Sequence, residues 1–313
     1  MNFASVEKIA AAVLYEGYIL YPYRATAIKN RQRWNFGTLY PRIYAEAQRP
    51  QEPFRLLSEC LLIPGDNASL DIKASFLQLL PQPRENSNLA DPSLDWDEAV
   101  ERTSDHCDLS LNALLTSPST LHIKPTADLA ASLTLHAQSL PSGACNLHLE
   151  LENVSPLSSG AKARRDEALP QALVSAHLLL GITGGEFVSL LEPPAPYTAD
   201  AKACINTGVF PVLAGDQPDR SILLLSPIIL YDYPKTSPES AGDFFDGTEM
   251  DEMLTLRVLT LTDAEKDEMR HGDPRARRIL ERTEALTGEE MLKAHGIVRP
   301  IRDIHSDAQG DIS

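Results

Sequence analysis

Seven carboxylates crowd residues 232–252: Asp232, Glu239, Asp243, Asp246, Glu249, Asp251 and Glu252, with Lys235 the one cation among them. Like charges at that density repel, so the stretch needs solvent and salt, a hard cation or a basic partner to relieve them. Oxygen donors suit Mg²⁺ or Ca²⁺, and the spacing lets Asp243, Asp246 and Glu249 converge. The run does not match the D-x-D-x-D-G calcium loop, despite Asp246-Gly247. The expectation is a solvated acidic loop, open to docking by a partner and holding no cofactor. The alternative is a divalent-metal-dependent enzyme that uses the 232–252 carboxylates to hold Mg or Ca.

A second group has the opposite charge. Tyr21, Tyr23 and Trp34 are interleaved with Arg24, Lys29, Asn30, Arg31 and Arg33. Rings and cations in alternation can stack on bases and pair with phosphates. The whole chain, however, carries a net charge of −16, and an acidic body opposes association with polyanions. Residues 1–50 hold seven Lys and Arg against three acids, so that segment is about +4 and the remainder about −20. A basic arm on an acidic body is expected to meet protein, either its own acidic loop or a partner. The candidate contact surface is that arm together with Asp232, Tyr233 and the acids from Glu239 to Glu252, and nucleic acid is not expected.

Other chemistry finds no motif. The eight histidines form no H-E-x-x-H and no close pair in sequence, and each reads as structural. The four cysteines, Cys60, Cys107, Cys145 and Cys204, make no C-x-x-C and read as buried thiols of a reducing compartment. There is no G-x-S-x-G and no P-loop, and the 181–185 run GITGG lacks the Lys and Ser/Thr that phosphate binding needs. The N-terminal apolar run has no basic residues ahead of it, and no run reaches spanning length, so a cytoplasmic protein with no membrane span is expected.

The elements that must position these groups are mostly strands. Ser5 can cap a helix burying Val6, Ile9, Ala10, Val13 and Leu14, with Gly17 as its stop. Residues 60–63 and 70–80 flank Pro64-Gly65-Asp66-Asn67 and read as a hairpin, followed by a loop over 81–98. Residues 107–115, 132–137 and 146–153 are further strand candidates. In the last, Leu147, Leu149 and Leu151 alternate with His148, Glu150 and Glu152. Residues 154–171 read as a surface loop. A second hairpin is expected from 174–182 and 187–191 about Gly184-Gly185, and a third from 205–213 and 222–231 about 215–219. A strand over 254–261 closes the acidic loop. Capping boxes at Thr262 and Thr287, with Asp273-Pro274 between them, then announce three short helices.

The predicted architecture is α+β: a sandwich-like antiparallel β body with an N-terminal helix and arm and three short C-terminal helices. The expected segments are 1–52 for helix and arm, 53–262 for the β-rich body, 263–302 for the helices and 303–313 for a frayed tail.

Three stretches, LYEGYILYPYRATAIKNRQRWNFGTLYP from residue 14, SPIILYDYPKTSPESAGDFFDGTEMDEMLTLRVLTLTDAEK from residue 226, and EEMLKAHG from residue 289, resemble a bacterial protein family whose genes tend to lie among those for uptake-type NiFe-hydrogenases and their maturation factors. The likeness covers residues 13–45 and 170–296. It implies a process, hydrogenase assembly or function, and a protein partner such as a hydrogenase subunit or maturation factor. It brings no catalytic residues with it.

Overall fold

The structure is a computed structural model that describes residues 3–19, 37–82, 96–235, 258, 261–263, 266–267, 270 and 274–285. In chain order its elements are α1 (Ala4–Ile19), α2 (Arg42–Ala45), β1 (Arg55–Gln82), β2 (Trp96–Ser110), α3 (Leu111–Thr116), β3 (Ser119–Ile123), β4 (Ala131–Ser139) and β5 (Cys145–Asn153). They continue as α4 (Arg165–Ala168), β6 (Val174–Val188), α5 (Thr198–Ala203), β7 (Asn206–Thr207), β8 (Phe210–Leu213), β9 (Ile222–Ser226) and α6 (Pro274–Ala285). Every ladder among the described residues is antiparallel.

Two expected hairpins are in fact two long strands lying against each other. β1 runs unbroken for 28 residues, several times an ordinary strand, and β6 runs for 15. They pair from Leu61↔Val188 to Pro64↔Gly185, and again from Ser69↔Thr183 to Leu77↔Val174. Between the two stretches β1 advances five residues and β6 two. The turn-like residues Pro64 to Asn67 and Gly184-Gly185 thus face each other across the ladder and absorb a bulge, which bends a strand without ending it. The packing there admits little else. A Cβ on Gly185 would come within 2.7 Å of Ile182 Cδ1 and 2.9 Å of the Ile63 carbonyl.

The bulge lets one edge of β1 serve two neighbours. Residues 55–62 pair with β5, and residues 69–82 pair with β2. The main path of the sheet is β3-β4-β5-β1-β6-β9-β8. Inward residues of both halves of β1, among them Leu56, Cys60, Leu62, Leu70, Ile72 and Phe76, join Leu133, Leu149, Leu178 and Leu223 in one buried cluster. The even-numbered register survives the bulge, so both halves present their apolar side to the same core. The alternation expected in β5 is present, with Leu147, Leu149 and Leu151 buried and His148, Glu150 and Glu152 half-buried on the other side.

Helices cover the outer face. Phe3, Val6 and Ala10 of the N-terminal segment pack on Leu179, Val212 and Leu224. Leu14 continues into a cluster with Tyr40, Tyr44, Leu77, Leu79, Val258 and Leu280, which ties α1 and α6 to the same end of the body. Helix α1 passes through Gly17 to Ile19, although glycine costs a helix roughly 1 kcal/mol.

Other boundaries also move. The 107–115 strand ends at Ser110 and becomes α3, and the loop over 81–98 gives way to β2 at Trp96. The β8–β9 hairpin forms, but β9 stops at Ser226 rather than at 231. Val258 is helical rather than part of a strand. Residues 263, 266–267 and 270 are helical and α6 begins at Pro274, while the third expected helix lies outside the described residues. No helix among the described residues is long and apolar enough to cross a membrane.

Candidate functional site

Of the candidate contact residues, Tyr21, Tyr23, Arg24, Lys29, Asn30, Arg31, Arg33 and Trp34 lie outside the described residues, as do Glu239, Asp243, Asp246, Glu249, Asp251 and Glu252. Asp232 and Tyr233 are described, and both are used internally. One Asp232 oxygen accepts the Ser189 hydroxyl and the other accepts the Leu213 N–H at 2.8 Å. Ser189 Oγ in turn accepts the N–H groups of Leu191 at 3.1 Å and Glu192 at 2.8 Å. Tyr233 adopts φ +54°, donates its N–H to the Leu213 carbonyl at 2.6 Å and rests its ring on the main core. Burial raises the Tyr233 phenol above its usual range, partly offset by Arg220.

This clamp fixes the segment after β9. Ile228 and Leu230 turn inward onto the cluster under α1. Ile229 and Tyr231 turn outward and are each 88% exposed. An alternating segment with its even side docked and its odd side bare leads directly into the acid-rich residues.

The sheet assembles a second group that the sequence reading missed. β4 and β5 are joined by residues 140–144, closed by the Leu140 N–H to Ala144 carbonyl bond at 2.8 Å. That turn sets the register His136↔His148, and the rings lie 4.6 Å apart between centroids, tilted by 31°. The absence of a close histidine pair in sequence thus does not keep two of them apart in space. The two are twelve positions apart in sequence and adjacent only through the ladder. On the far side of β5, Glu59 stands opposite His148, with its Oε1 at 3.4 Å from Nδ1. Glu59 is itself held, its Oε2 accepting the Ile205 N–H at 2.8 Å. Burial and then the His148 ring lower the His136 pKa, partly offset by Glu59. The turn residues Pro141, Ser142 and Gly143 were the available signal, since counting outward from them puts 136 opposite 148.

Beside this row sits Cys204, whose thiol is pushed up to about 11 by burial first and then by Glu59 and Asp200. It is protonated at neutral pH and makes a poor nucleophile. Burial also raises Cys60 and Cys145. Cys107 departs from the expected buried thiols: it is exposed on β2. Ser104 and His106, two apart on β2, are 3.1 Å apart, but among the described residues no carboxylate hydrogen-bonds to the His106 ring to orient it, as nucleophilic catalysis needs. Among the described residues no group of three or more His, Cys, Asp or Glu could hold a metal ion.

No protein-family model matches the chain, and no curated protein matches it.

Proposed function

We propose that this chain is a non-catalytic accessory protein that acts by docking another protein. The observation that carries the reading is the pinned segment 227–233. Its Ser189–Asp232 clamp holds Ile229 and Tyr231 bare at 88% exposure. A rigid segment presenting an aliphatic and an aromatic side chain loses little entropy on association, and desolvated aromatics dominate interface energies. The acids that follow and the basic–aromatic arm supply charge for steering. The resemblance to a hydrogenase-linked family makes the partner a hydrogenase subunit or a maturation factor. The body as a whole is a sandwich-like scaffold for this surface. The alternative is a metal-dependent enzyme on the 232–252 carboxylates; of these Asp232 already accepts one protein donor on each oxygen, and Asp243, Asp246 and Glu249 lie outside the described residues.

The test is retention of purified hydrogenase subunits and maturation factors of the native host on the immobilised full chain at low salt. One of them is expected to bind, with at least tenfold weaker retention by Tyr231→Ala, in keeping with the cost of removing an interface aromatic. If none binds the wild-type chain, the reading is lost.

A further inference from the structure

We infer that His136 and His148 form a binding site for a late first-row divalent cation, Zn²⁺ or Cu²⁺, on the outer face of the β4–β5 hairpin. The inference is independent of the docking surface. Directly opposed residues of an antiparallel pair place their Cβ atoms roughly 4.5–5.5 Å apart, and here the rings stand with centroids at 4.6 Å. Both residues are half-buried, so solvent reaches the pair.

Glu59 completes the arrangement without being a ligand. Its contact with Nδ1 of His148 sets that nitrogen as the donor and leaves Nε2 with a free lone pair. Its own anchor on the Ile205 N–H keeps the carboxylate in place. Metal-binding histidines commonly donate their second ring nitrogen to a carboxylate in this way, which fixes the tautomer and raises basicity. Among the described residues no hydrogen bond holds the His136 ring, so it can turn about χ2 from its tilted stack to share an ion with its neighbour.

The donor set selects the ion. Imidazole suits Zn²⁺ and Cu²⁺, whereas Mg²⁺ and Ca²⁺ require oxygen. With two protein ligands the remaining coordination positions fall to water. The site is therefore open and exchangeable, unlike the closed four-ligand structural type.

Calorimetry on the full chain with ZnCl₂ and CuCl₂ in a non-chelating buffer tests this, with MgCl₂ as control. One Zn²⁺ or Cu²⁺ per chain is expected, and none of Mg²⁺. His136→Ala and His148→Ala should each abolish that binding, while Glu59→Gln should keep the stoichiometry and weaken it about 10–100-fold. Electron paramagnetic resonance of the Cu²⁺-loaded wild type should show coupling to two imidazole nitrogens, a readout that needs no variant to fold. Absence of binding by both ions, binding undiminished in the folded histidine variants, or a spectrum with fewer than two nitrogens would each overturn the assignment.

Discussion

Asn153 shows what a single polar side chain can hold together. It is fully buried at the inward end of β5, donating to the carbonyls of Leu39 and Gln171 at 2.8 Å each and accepting the Ser155 N–H at 2.9 Å. Three separate backbone segments therefore depend on one amide. A buried group left without its partner costs about 1–3 kcal/mol. Asn153→Leu is expected to lose roughly 2–5 kcal/mol in urea denaturation, and a change within about 0.5 kcal/mol would contradict that role. His177 makes a different demand. It is buried in β6, and burial drives its pKa down to about 4 despite the nearby Ser175 carbonyl, with Lys73 adding to the fall. The ordinary value is 6.5, so below that pH the unfolded chain takes up a proton that the native chain refuses. Stability present above pH 6.5 is lost as pH falls toward 4, at a limiting rate of about 1.4 kcal/mol per pH unit. His177→Gln should flatten this limb, shrinking the stability difference between pH 7 and pH 5 by about 2 kcal/mol in matched urea titrations.

At the scale of elements, the paired irregularity in β1 and β6 decides how far the sheet extends. Gly185 sits where the Ile63 carbonyl, a rigid ladder atom, leaves no room for a methyl group. Gly185→Ala is expected to cost roughly 1–3 kcal/mol, as overpacking does, and calorimetric melting would read it as a lower Tm. An unchanged Tm would mean that the ladder can shift locally. The attachment of α1 contrasts burial with charge. Lys73 pairs with Glu7 at 2.9 Å, but the Glu7 side chain is half exposed, and such pairs contribute less than about 1 kcal/mol. Leu14, 1% exposed and packed toward α6, carries more. Leu14→Ala should cost roughly 2–5 kcal/mol and Glu7→Gln under about 1 kcal/mol, and equal losses in denaturant titrations would refute this ranking.

Over the whole molecule, charge and apolar surface divide the work. A net charge of −16 sets long-range steering, which salt screens within about 8–10 Å, while Ile229 and Tyr231 offer contact that salt does not weaken. Raising ionic strength from 50 to 500 mM should therefore slow association with the proposed partner about tenfold or more and change its dissociation rate little. Stopped-flow or surface-based kinetics would separate the two, and a salt-insensitive association rate would remove charge steering from the proposal.

The alternation of Leu147, Leu149 and Leu151, the β8–β9 turn chemistry and the helix start at Pro274 were legible because each is a local pattern, set by side-chain period or by allowed backbone angles. The long β1–β6 pairing was not. Pro64-Gly65-Asp66-Asn67 and Gly184-Gly185 have hairpin composition, and only their meeting across a ladder turns two apparent turns into one bulge. Asp232 and Tyr233 could be singled out by type, yet their bonds to Ser189 and Leu213 depend on strand ends that are remote in sequence. The His136–His148–Glu59 row followed from register alone: one step of slippage between β4 and β5 would have put the two rings on opposite faces of the sheet. Sequence determines which face each residue can take. Tertiary pairing determines which residues share it.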